Sequence, residues 1–533
     1  MTKKSKKNIK DDYKSSKWLP IFLIALLSIF VVLVNKKLDN DLWYLLTEGR
    51  YILKHGIFHT DPFSIHEGLN VVVQNWLSAS FLWVVYDFFG EMGILLLIVI
   101  CNICICILLY KICMLISENN RTISLTLMFV CDLTLISHFI VSRPQIFSYI
   151  TLLGLIYALE LYIHKKDKKY LIWLPIISLI QINMHASLWV MLFLFILCYV
   201  IDSFNIKELR LQGYEKKPLF IAIGISILMG LINPYFYKAI TFIFGSFSDH
   251  YMRIFIKELL PFSLDLDICK QMAFIILLIG LIYTYFREGK VRVRYICLFC
   301  GTMILGFMAL KGFSNFILVA FFPLAYFFKD MVPKDLRLIF KPVQNAVNYL
   351  FMTFAIIMFI GFGYFYITSK DKITLSHNAE GAVNNLEKYY KDTKSAKVYS
   401  SFNDGGYVEF RGYKAYIDPR AEYFLKKNNG KADIFKEFYD LQHGNLDAHE
   451  FLEKYNFTHL LVAKDDWLYN RIDTTKENYF VLYENTDKGY RLYARNDTFS
   501  DNEREKIVSE YTKVVDEAIK VQNNLSLFIF DYF

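Results

Sequence analysis

Two aspartates, Asp39 and Asp41, follow directly on the first long apolar run of this 533-residue chain. An ionised carboxylate near hydrocarbon is costly, roughly 2.5–3.5 kcal/mol at the centre of a span, so a pair at the end of a membrane helix indicates chemistry. Such a pair can act as a general base or hold a divalent cation. The alternative is that they cap a helix over residues 42–55, which one aspartate would achieve.

The composition is that of a membrane protein. Hydrophobic residues make up 55% of the chain and charged residues only 21%, and the apolar residues fall in runs that resemble membrane spans. The stretch 76–90 is shorter and contains Asp87, so we predict an interfacial helix there. The first run lacks a small-x-small cleavage site and is predicted to be an uncleaved anchor. Eleven runs are predicted as spans: 18–34, 92–116, 122–140, 144–163, 170–184, 186–201, 218–233, 271–286, 295–310, 313–328 and 347–368.

The lysines and arginines predict the orientation of these spans. With a cytoplasmic N-terminus, the loops on that side carry most of the basic residues, as the positive-inside rule requires. An odd number of spans then places the C-terminal part outside the cytoplasm. We therefore expect a multi-pass protein of the cell membrane with three parts: a basic cytoplasmic tail (1–17), a membrane domain with an outer loop at 37–90 (18–369), and an extracytoplasmic domain (370–533).

The C-terminal part reads as a small α/β domain. Strand-like runs at 396–400, 413–417, 458–463, 480–483 and 490–493 alternate with helical or turn-rich stretches. All nine cysteines lie before residue 301, so no disulfide framework is available to this domain. The chain has no GxxxxGK loop for nucleotide phosphates. Its net charge of +8 is concentrated in the predicted cytoplasmic loops and gives no reason to expect nucleic-acid binding.

Polar residues collect at the predicted outer ends of several spans, which indicates a site at the outer membrane surface. Arg143 also has a simpler interpretation, since it can extend to lipid headgroups. His55, His59 and Asp61 have a spacing that could chelate zinc, but no further ligand pattern lies near, and a surface helix is favoured. The residues predicted to bind substrate here are Arg143, Gln145, Asn183, His185, Glu258, Lys311 and Asn315.

Two motifs in the C-terminal domain extend this site. The glycines of Gly405-Gly406-Tyr407 predict a tight turn. In Asp418-Pro419-Arg420, the two charges form either a local ion pair, worth at most about 1 kcal/mol if exposed, or an edge that faces the membrane and contacts sugar or phosphate. The second interpretation requires Asp418 and Arg420 to point towards the loop that contains Asp39.

Taken in order, these motifs resemble the large membrane glycosyltransferases with the C fold (GT-C), in a bacterial subgroup. The resemblance covers most of the chain, with one departure: Lys311-Gly-Phe-Ser-Asn315 stands where an arginine-rich turn is expected. The motifs that carry it are Asp39-x-Asp41-x-Trp43, residues 49–56 with Asp61-Pro-Phe-Ser64, Asn75-Trp-Leu77, Arg143-Pro-Gln145, Asn183-x-His185, Asn233-Pro-Tyr235 and the two C-terminal motifs.

The resemblance implies transfer of a sugar from a polyprenyl-phosphate donor to a glycan, lipid or protein acceptor. Asp39 is then favoured as the base, with Asp41 orienting it or binding a divalent cation, and Arg143 and Lys311 are candidates to stabilise the leaving lipid phosphate. A transporter remains an alternative, but it needs ionisable groups near mid-bilayer. A non-enzymatic scaffold for envelope polysaccharide is also an alternative. A main cavity that opens at the outer surface favours the enzyme, and one at mid-membrane favours the transporter.

Overall fold

The computed structural model describes residues 18–35, 37–204, 213–247, 249–285, 292–329, 375–472 and 478–510. Residues up to 329 form a helical half, and residues from 375 form the C-terminal domain. The helices of the first half are α1 (Trp18–Val34), α2 (Asp41–His55), α3 (Trp76–Ile116), α4 (Arg121–His138), α5 (Gln145–Lys165), α6 (Trp173–Met184), α7 (Trp189–Asp202), α8 (Lys216–Met229), α9 (Lys238–Phe247), α10 (His250–Phe255), α11 (Asp267–Tyr285), α12 (Val293–Met308), α13 (Phe313–Ala320) and α14 (Phe322–Phe327).

Three helical segments are long and apolar enough to cross a membrane: Trp76–Ile116, Gln145–Lys165 and Leu310–Phe327. Shorter apolar helices cover Leu19–Val34, Ala186–Asp202 and Val293–Met308. Eleven spans were predicted, and for the described part of the chain that number is wrong.

The physical reason is helix length. Most of the predicted spans do form helices, but α6 has 12 residues and α8 has 14. At about 1.5 Å per residue these reach roughly 18–21 Å, whereas the hydrocarbon core is about 30 Å thick. The predicted span 347–368 and the basic tail 1–17 lie outside the described residues.

The predicted interfacial helix and the span after it are joined in α3. This helix of 41 residues breaks at Gly90, whose φ of 61° and ψ of −157° are non-helical. A positive φ favours glycine, because it has no Cβ to clash with the backbone. Phe88 and Phe89 lie beside the break and are largely exposed.

The C-terminal domain contains a five-stranded mixed sheet with the strand order β2-β1-β3-β5-β4. The first three strands pair in parallel, and β3, β5 and β4 pair antiparallel. Every residue of the central strand β3 is buried. The five strands fall where the sequence predicted them and confirm a small α/β fold: β1 (Lys397–Ser400), β2 (Lys414–Ala415), β3 (His459–Ala463), β4 (Tyr479–Asn485) and β5 (Tyr490–Arg495). The helices of this domain are Glu380–Tyr389, Gly405–Phe410, Lys426–Asn429, Ile434–Gln442 and Ala448–Tyr455.

The first loop of the helical half (residues 35–75) continues this sheet at its β2 edge. Ser64 forms a parallel bridge with Ala415, and the backbone N–H of Ile65 donates to the Ala415 carbonyl at 2.9 Å. On α2, the Arg50 guanidinium donates to the Phe410 carbonyl at 2.7 Å. The C-terminal domain therefore has its own sheet but is packed directly on α2 and the first loop.

The paired glycines make this packing possible. Gly405 and Gly406 begin the short helix Gly405–Phe410, so the predicted tight turn is wrong at these positions, and the turn lies just before them. A Cβ on Gly405 would lie 1.8 Å from the Ile417 carbonyl oxygen, and one on Gly406 would lie 3.1 Å from the Tyr44 backbone nitrogen on α2. The glycines therefore allow close approach of backbones, including that of α2.

Trp43, the last residue of the Asp39-x-Asp41-x-Trp43 pattern, belongs to the same interface. Its ring lies 4.9 Å from that of Tyr407 and 5.0 Å from that of Phe410, measured between centroids, and Trp43 is only 2% exposed. The role of this motif residue is to pack the C-terminal domain onto α2.

Candidate functional site

Arg143 lies at the centre of a group of carboxylates, in the loop between α4 and α5. Its Nε is 2.7 Å from Asp39 Oδ1 and 3.2 Å from Asp41 Oδ2. Its Nη1 is 2.5 Å from Glu258 Oε1, on the 3-10 turn Lys257–Leu259. The structure thus brings together four residues that the sequence singled out in three separate segments. We call this group the Arg143 centre.

The two aspartates are held differently. Asp39 Oδ1 accepts both the Arg143 N–H and the backbone N–H of Asp41, at 3.0 Å, and its own backbone N–H donates to Ser142 Oγ. Asp39 thus satisfies the first backbone N–H of α2 from outside the helix, whereas the N-cap position itself is Asn40, whose side chain makes no capping hydrogen bond. Asp41 is the first residue of α2, and its side chain is 24% exposed. Of the two, Asp41 has the carboxylate with fewer fixed partners.

Burial raises the pKa of Asp41 to about 8, with Arg143 opposing the shift and the negative charge of Asp39 adding to it. Removing water from around a carboxylate disfavours its charged form, and Arg143 offsets this in part. A carboxyl group that exchanges its proton near neutral pH suits general acid–base catalysis, in which the catalytic pKa lies close to the working pH.

The C-terminal domain adds a carboxylate that the sequence did not single out. Glu422 lies on the 3-10 turn Ala421–Phe424, and its charge interacts with Lys311 on the turn Leu310–Gly312 and with Asp41. Burial raises the pKa of Glu422, and Lys311 opposes that shift. No sequence signal joins positions so far apart, although Glu422 lies only two residues beyond the Asp418-Pro419-Arg420 motif.

Asn183 and His185 lie at the end of α6 and are held by protein groups. Asn183 accepts a hydrogen bond from Trp76 Nε1 at 3.1 Å and donates to the carbonyls of Leu179 and Ile232. His185 Nδ1 lies 2.9 Å from Ser148 Oγ, and burial, helped by the charge of Lys311, lowers the pKa of His185 to about 3. Asn183 thus has a structural role in the fold, and His185 stays neutral.

Gln145 and Asn315 are the two predicted substrate contacts with unused hydrogen-bonding capacity. Among the residues that the structure describes, Gln145 Oε1 and Asn315 Oδ1 are buried and have no hydrogen-bond partner. A buried acceptor without a partner costs about 1–3 kcal/mol. Gln145 begins α5 two residues after Arg143, so its free oxygen lies next to the Arg143 centre in the chain and is suited to meet a ligand hydroxyl.

An apolar groove of about 590 Å³ lies beside Asn183, between the start of α3, α6 and the segment after α8. It opens at the ends of these helices. A groove of this kind accepts hydrocarbon rather than sugar. Its lining includes Trp76, Leu77, Ile180, Leu231, Ile232 and Pro234.

Asp418 and Arg420 are 0% and 4% exposed. Arg420 donates hydrogen bonds to both Asp418 oxygens and also forms ion pairs with Glu48 on α2 and with Asp61 in the first loop. The local ion pair therefore exists, and it faces the loop that contains Asp39, as the second interpretation required. These groups are buried and already bound to protein partners, which favours a role in joining the two halves. Contact of Asp418 or Arg420 with a ligand stays a prediction.

Neither a search for metal-ligand groups nor the comparisons with known proteins identify what the site binds or which family the chain belongs to. Within the described ranges, no three His, Cys, Asp or Glu side chains are placed to hold a metal ion, so the divalent-cation alternative for Asp39 and Asp41 has no complete ligand set there. No family model matches the chain, and the search of curated proteins finds no significant relative. Fold and site define the class instead: a mostly helical protein with candidate membrane spans and a small mixed-sheet domain packed on its first loop.

Proposed function

We propose that this protein is a membrane glycosyltransferase that moves a sugar from a polyprenyl-phosphate donor to an acceptor at the outer face of the membrane. The observation that carries the proposal is the Arg143 centre: two partly exposed aspartates at helix ends, paired with a cation. The apolar groove at the ends of α3, α6 and α8 supports it, since a donor with a lipid tail needs an apolar surface as well as a cation for its phosphate. The acceptor in this proposal is a hydroxyl group of a glycan, a lipid or a protein.

In this reaction the acceptor hydroxyl loses its proton to a carboxylate while its oxygen forms the new bond to the sugar. The bond between the sugar and the lipid phosphate breaks, and the phosphate leaves with its negative charge. We assign the base to Asp41 rather than to Asp39, because Asp41 has fewer fixed partners and a pKa of about 8. Asp39, held by Arg143, orients the start of α2.

Arg143 and Lys311 are the cations proposed to stabilise the leaving phosphate, because charge-assisted hydrogen bonds are strong in a poorly hydrated site. Arg143 already pairs with three carboxylates, of which Glu258 is the most exposed, at 47% of its side chain. Glu258 is therefore the partner that a donor phosphate displaces most readily.

A transporter keeps some support from one buried pair. Asp132 on α4 is 0% exposed and accepts a hydrogen bond from the amide of Asn102 on α3 at 2.9 Å. A buried ionisable residue within membrane helices is a feature of transport pathways. The apolar groove opens at helix ends instead, which favours the enzyme, as does the position of the Arg143 centre.

The test is mass spectrometry of envelope glycans in cells that lack the chain, complemented with wild type or with Asp41→Asn. We expect a glycan to lose one sugar unit and to regain it with wild type only. Asp41→Asn keeps the shape of the side chain but accepts no proton, so the transfer rate should fall roughly 10²–10⁴-fold at unchanged protein level. An unaltered glycan profile in the deletion would rule out the transferase, and full rescue by the variant would rule out Asp41 as the base.

A further inference from the structure

Arg420 is surrounded by more acid than it can neutralise. Its Nε and Nη2 lie 2.8 and 2.6 Å from the two oxygens of Asp418, and Nη2 is also 2.7 Å from Glu409 Oε2. Its Nη1 lies 3.3 Å from Glu48 Oε1 and 3.5 Å from Asp61 Oδ1. Every N–H of the guanidinium is thus directed at a carboxylate oxygen. We call these five residues the Arg420 cluster.

The cluster is closed to water. The side chains of its members are at most 3% exposed, and the ring centroids of Tyr44, Phe63 and Tyr423 lie 4.9–5.9 Å from the guanidinium carbon. If all the carboxylates were ionised, one positive charge would face four negative charges in a dry interior. Each uncompensated buried ion costs several kcal/mol. Some of these carboxyl groups must therefore carry protons.

The hydrogen bonds indicate where one proton lies. Glu409 Oε1 is buried and has no donor directed at it in the part of the chain that the structure describes, yet the carboxyl groups of Glu409 and Asp418 are within hydrogen-bonding reach. Two carboxyl groups bond to each other only when one carries a proton. Both oxygens of Asp418 accept hydrogen bonds from Arg420, so the proton belongs on Glu409.

The second proton belongs on Glu48. Asp61 accepts backbone N–H groups on both of its oxygens, from Phe63 at 3.4 Å and from Ser64 at 3.0 Å. Glu48 has two donors, Arg420 Nη1 at 3.3 Å and the Tyr423 hydroxyl at 3.0 Å, and both are directed at the same oxygen, Oε1. Burial raises the pKa of Glu48 to about 7 against the opposing charge of Arg420, and burial likewise raises the pKa of Glu409 well above its usual range.

We propose that the Arg420 cluster is a proton-dependent latch between the two halves of the protein. Glu48 and Asp61 come from the helical half, and Glu409, Asp418 and Arg420 come from the C-terminal domain. The protons on Glu48 and Glu409 allow the halves to close without trapping excess negative charge, and loss of those protons loosens the contact. The other titratable or charged groups that face the cluster are Tyr44 on α2, His66 in the first loop, Tyr235 after α8, Glu422 and Tyr423 on their 3-10 turn, and Lys311 beyond Glu422.

The direction of the pH effect follows from proton counting. A carboxyl group whose pKa is higher in the folded protein than in the unfolded chain keeps its proton longer when folded. Its contribution is complete below the unfolded pKa, near 4.5 for Glu, and for Glu48 it is lost as the pH rises through about 7. The pKa of Glu409 is also raised well above its usual range, so its contribution is lost in the same direction. The closed state is therefore most stable in mild acid, whereas a conventional ion pair formed by a carboxylate strengthens as the pH rises.

The experiment measures the Tm of the full chain in detergent from about pH 5 to pH 9, for wild type, Glu409→Gln and Glu48→Gln. A glutamine keeps the shape and does not titrate, and at position 409 its N–H replaces the proton that points to Asp418. We expect the wild-type Tm to fall across this range, each variant to show a shallower fall, and both variants to melt above wild type at the alkaline end. Glu453→Gln is the matched control, since its side chain is 70% exposed, and it should keep the wild-type slope.

The experiment also has an outcome that contradicts the latch. If both glutamates are ionised partners of Arg420, each glutamine variant melts below wild type at every pH with the wild-type slope, and the latch is wrong. Failure of both variants to fold has the same meaning, because a neutral side chain of the same shape would then lack an essential charge. If only Glu409→Gln fails to fold, the slope of Glu48→Gln decides.

Discussion

The Arg143 centre and the Arg420 cluster are both built on α2, and they differ in their access to water. Asp41 and Glu48 lie seven residues apart, about 10 Å along the helix, and each pairs with an arginine from another segment. The side chains at Arg143 are 17–47% exposed, whereas those at Arg420 are at most 3% exposed. The buried group has every N–H occupied and fixes the two halves together, and the open group keeps capacity for a ligand.

A third arginine is as deeply buried as Arg420 and has fewer carboxylates around it. Arg294 on α12 is 2% exposed and pairs with Glu160 on α5, at 2.9 Å, and with Asp202 on α7, at 2.7 Å. Glu160 also accepts a hydrogen bond from Tyr199. This group joins three helices with two carboxylates where the Arg420 cluster has four. Of the two fully buried arginines, the one at the contact between the two halves therefore has the larger excess of carboxylates.

The largest expected effect is the difference in unfolding free energy lost when the arginine of each centre is removed. Arg420→Ala should destabilise the protein by roughly 3–5 kcal/mol, because it leaves buried carboxylates without their cation. Arg143→Ala should cost less, roughly 1–3 kcal/mol, because it removes charge-assisted hydrogen bonds to aspartates that are 17–24% exposed and can still reach water. Thermal melting of the purified chain in detergent measures both. Equal losses in the two variants would show that exposure does not distinguish the centres.

The sequence predicted the local structure of this protein well, because local structure follows from local pattern. The strand-like runs became β1–β5, and most of the apolar runs became helices. The count of membrane spans was wrong, since hydropathy does not register that helices such as α6 and α8 are too short. The glycines of Gly405-Gly406 were assigned to a turn, because the approach of Tyr44 comes from a segment more than 300 residues away.

The site was predictable only as a collection of residue types. Asp39, Asp41, Arg143 and Glu258 were singled out separately, and their convergence on one guanidinium follows from tertiary packing. Glu48, Glu409 and Glu422 gave no signal, because an isolated glutamate in a helix or turn is usually a solvated residue. Glu160 stood inside an apolar run, and that position was a usable signal for a buried partner such as Arg294.

The second prediction concerns pH and the Arg143 centre. If Asp41 is the base, its deprotonated form is active, so kcat/KM for sugar transfer should rise with pH and level off above about 8. Asp39→Asn removes a negative charge that holds the pKa of Asp41 up, so the inflection should move to lower pH. Glu48→Gln is the control on the same helix and should leave the inflection in place. A rate that falls with rising pH would exclude Asp41 as the base.

The smallest expected effect is at the exposed edge of the Arg143 centre. Glu258→Gln removes an ion pair whose acid is 47% exposed, so the stability should change by no more than about 1 kcal/mol. Because Glu258 competes with the donor phosphate for Arg143, its removal should lower the KM for the lipid-phosphate donor and leave kcat nearly unchanged. Glu484→Gln is the matched control: it breaks an ion pair to Arg491 at 2.6 Å in the C-terminal sheet and should leave the donor KM as it is. A rise in KM, or a large loss of kcat, in Glu258→Gln would instead mean that Glu258 itself contacts the donor, and Arg143 would then be a structural residue like Arg420.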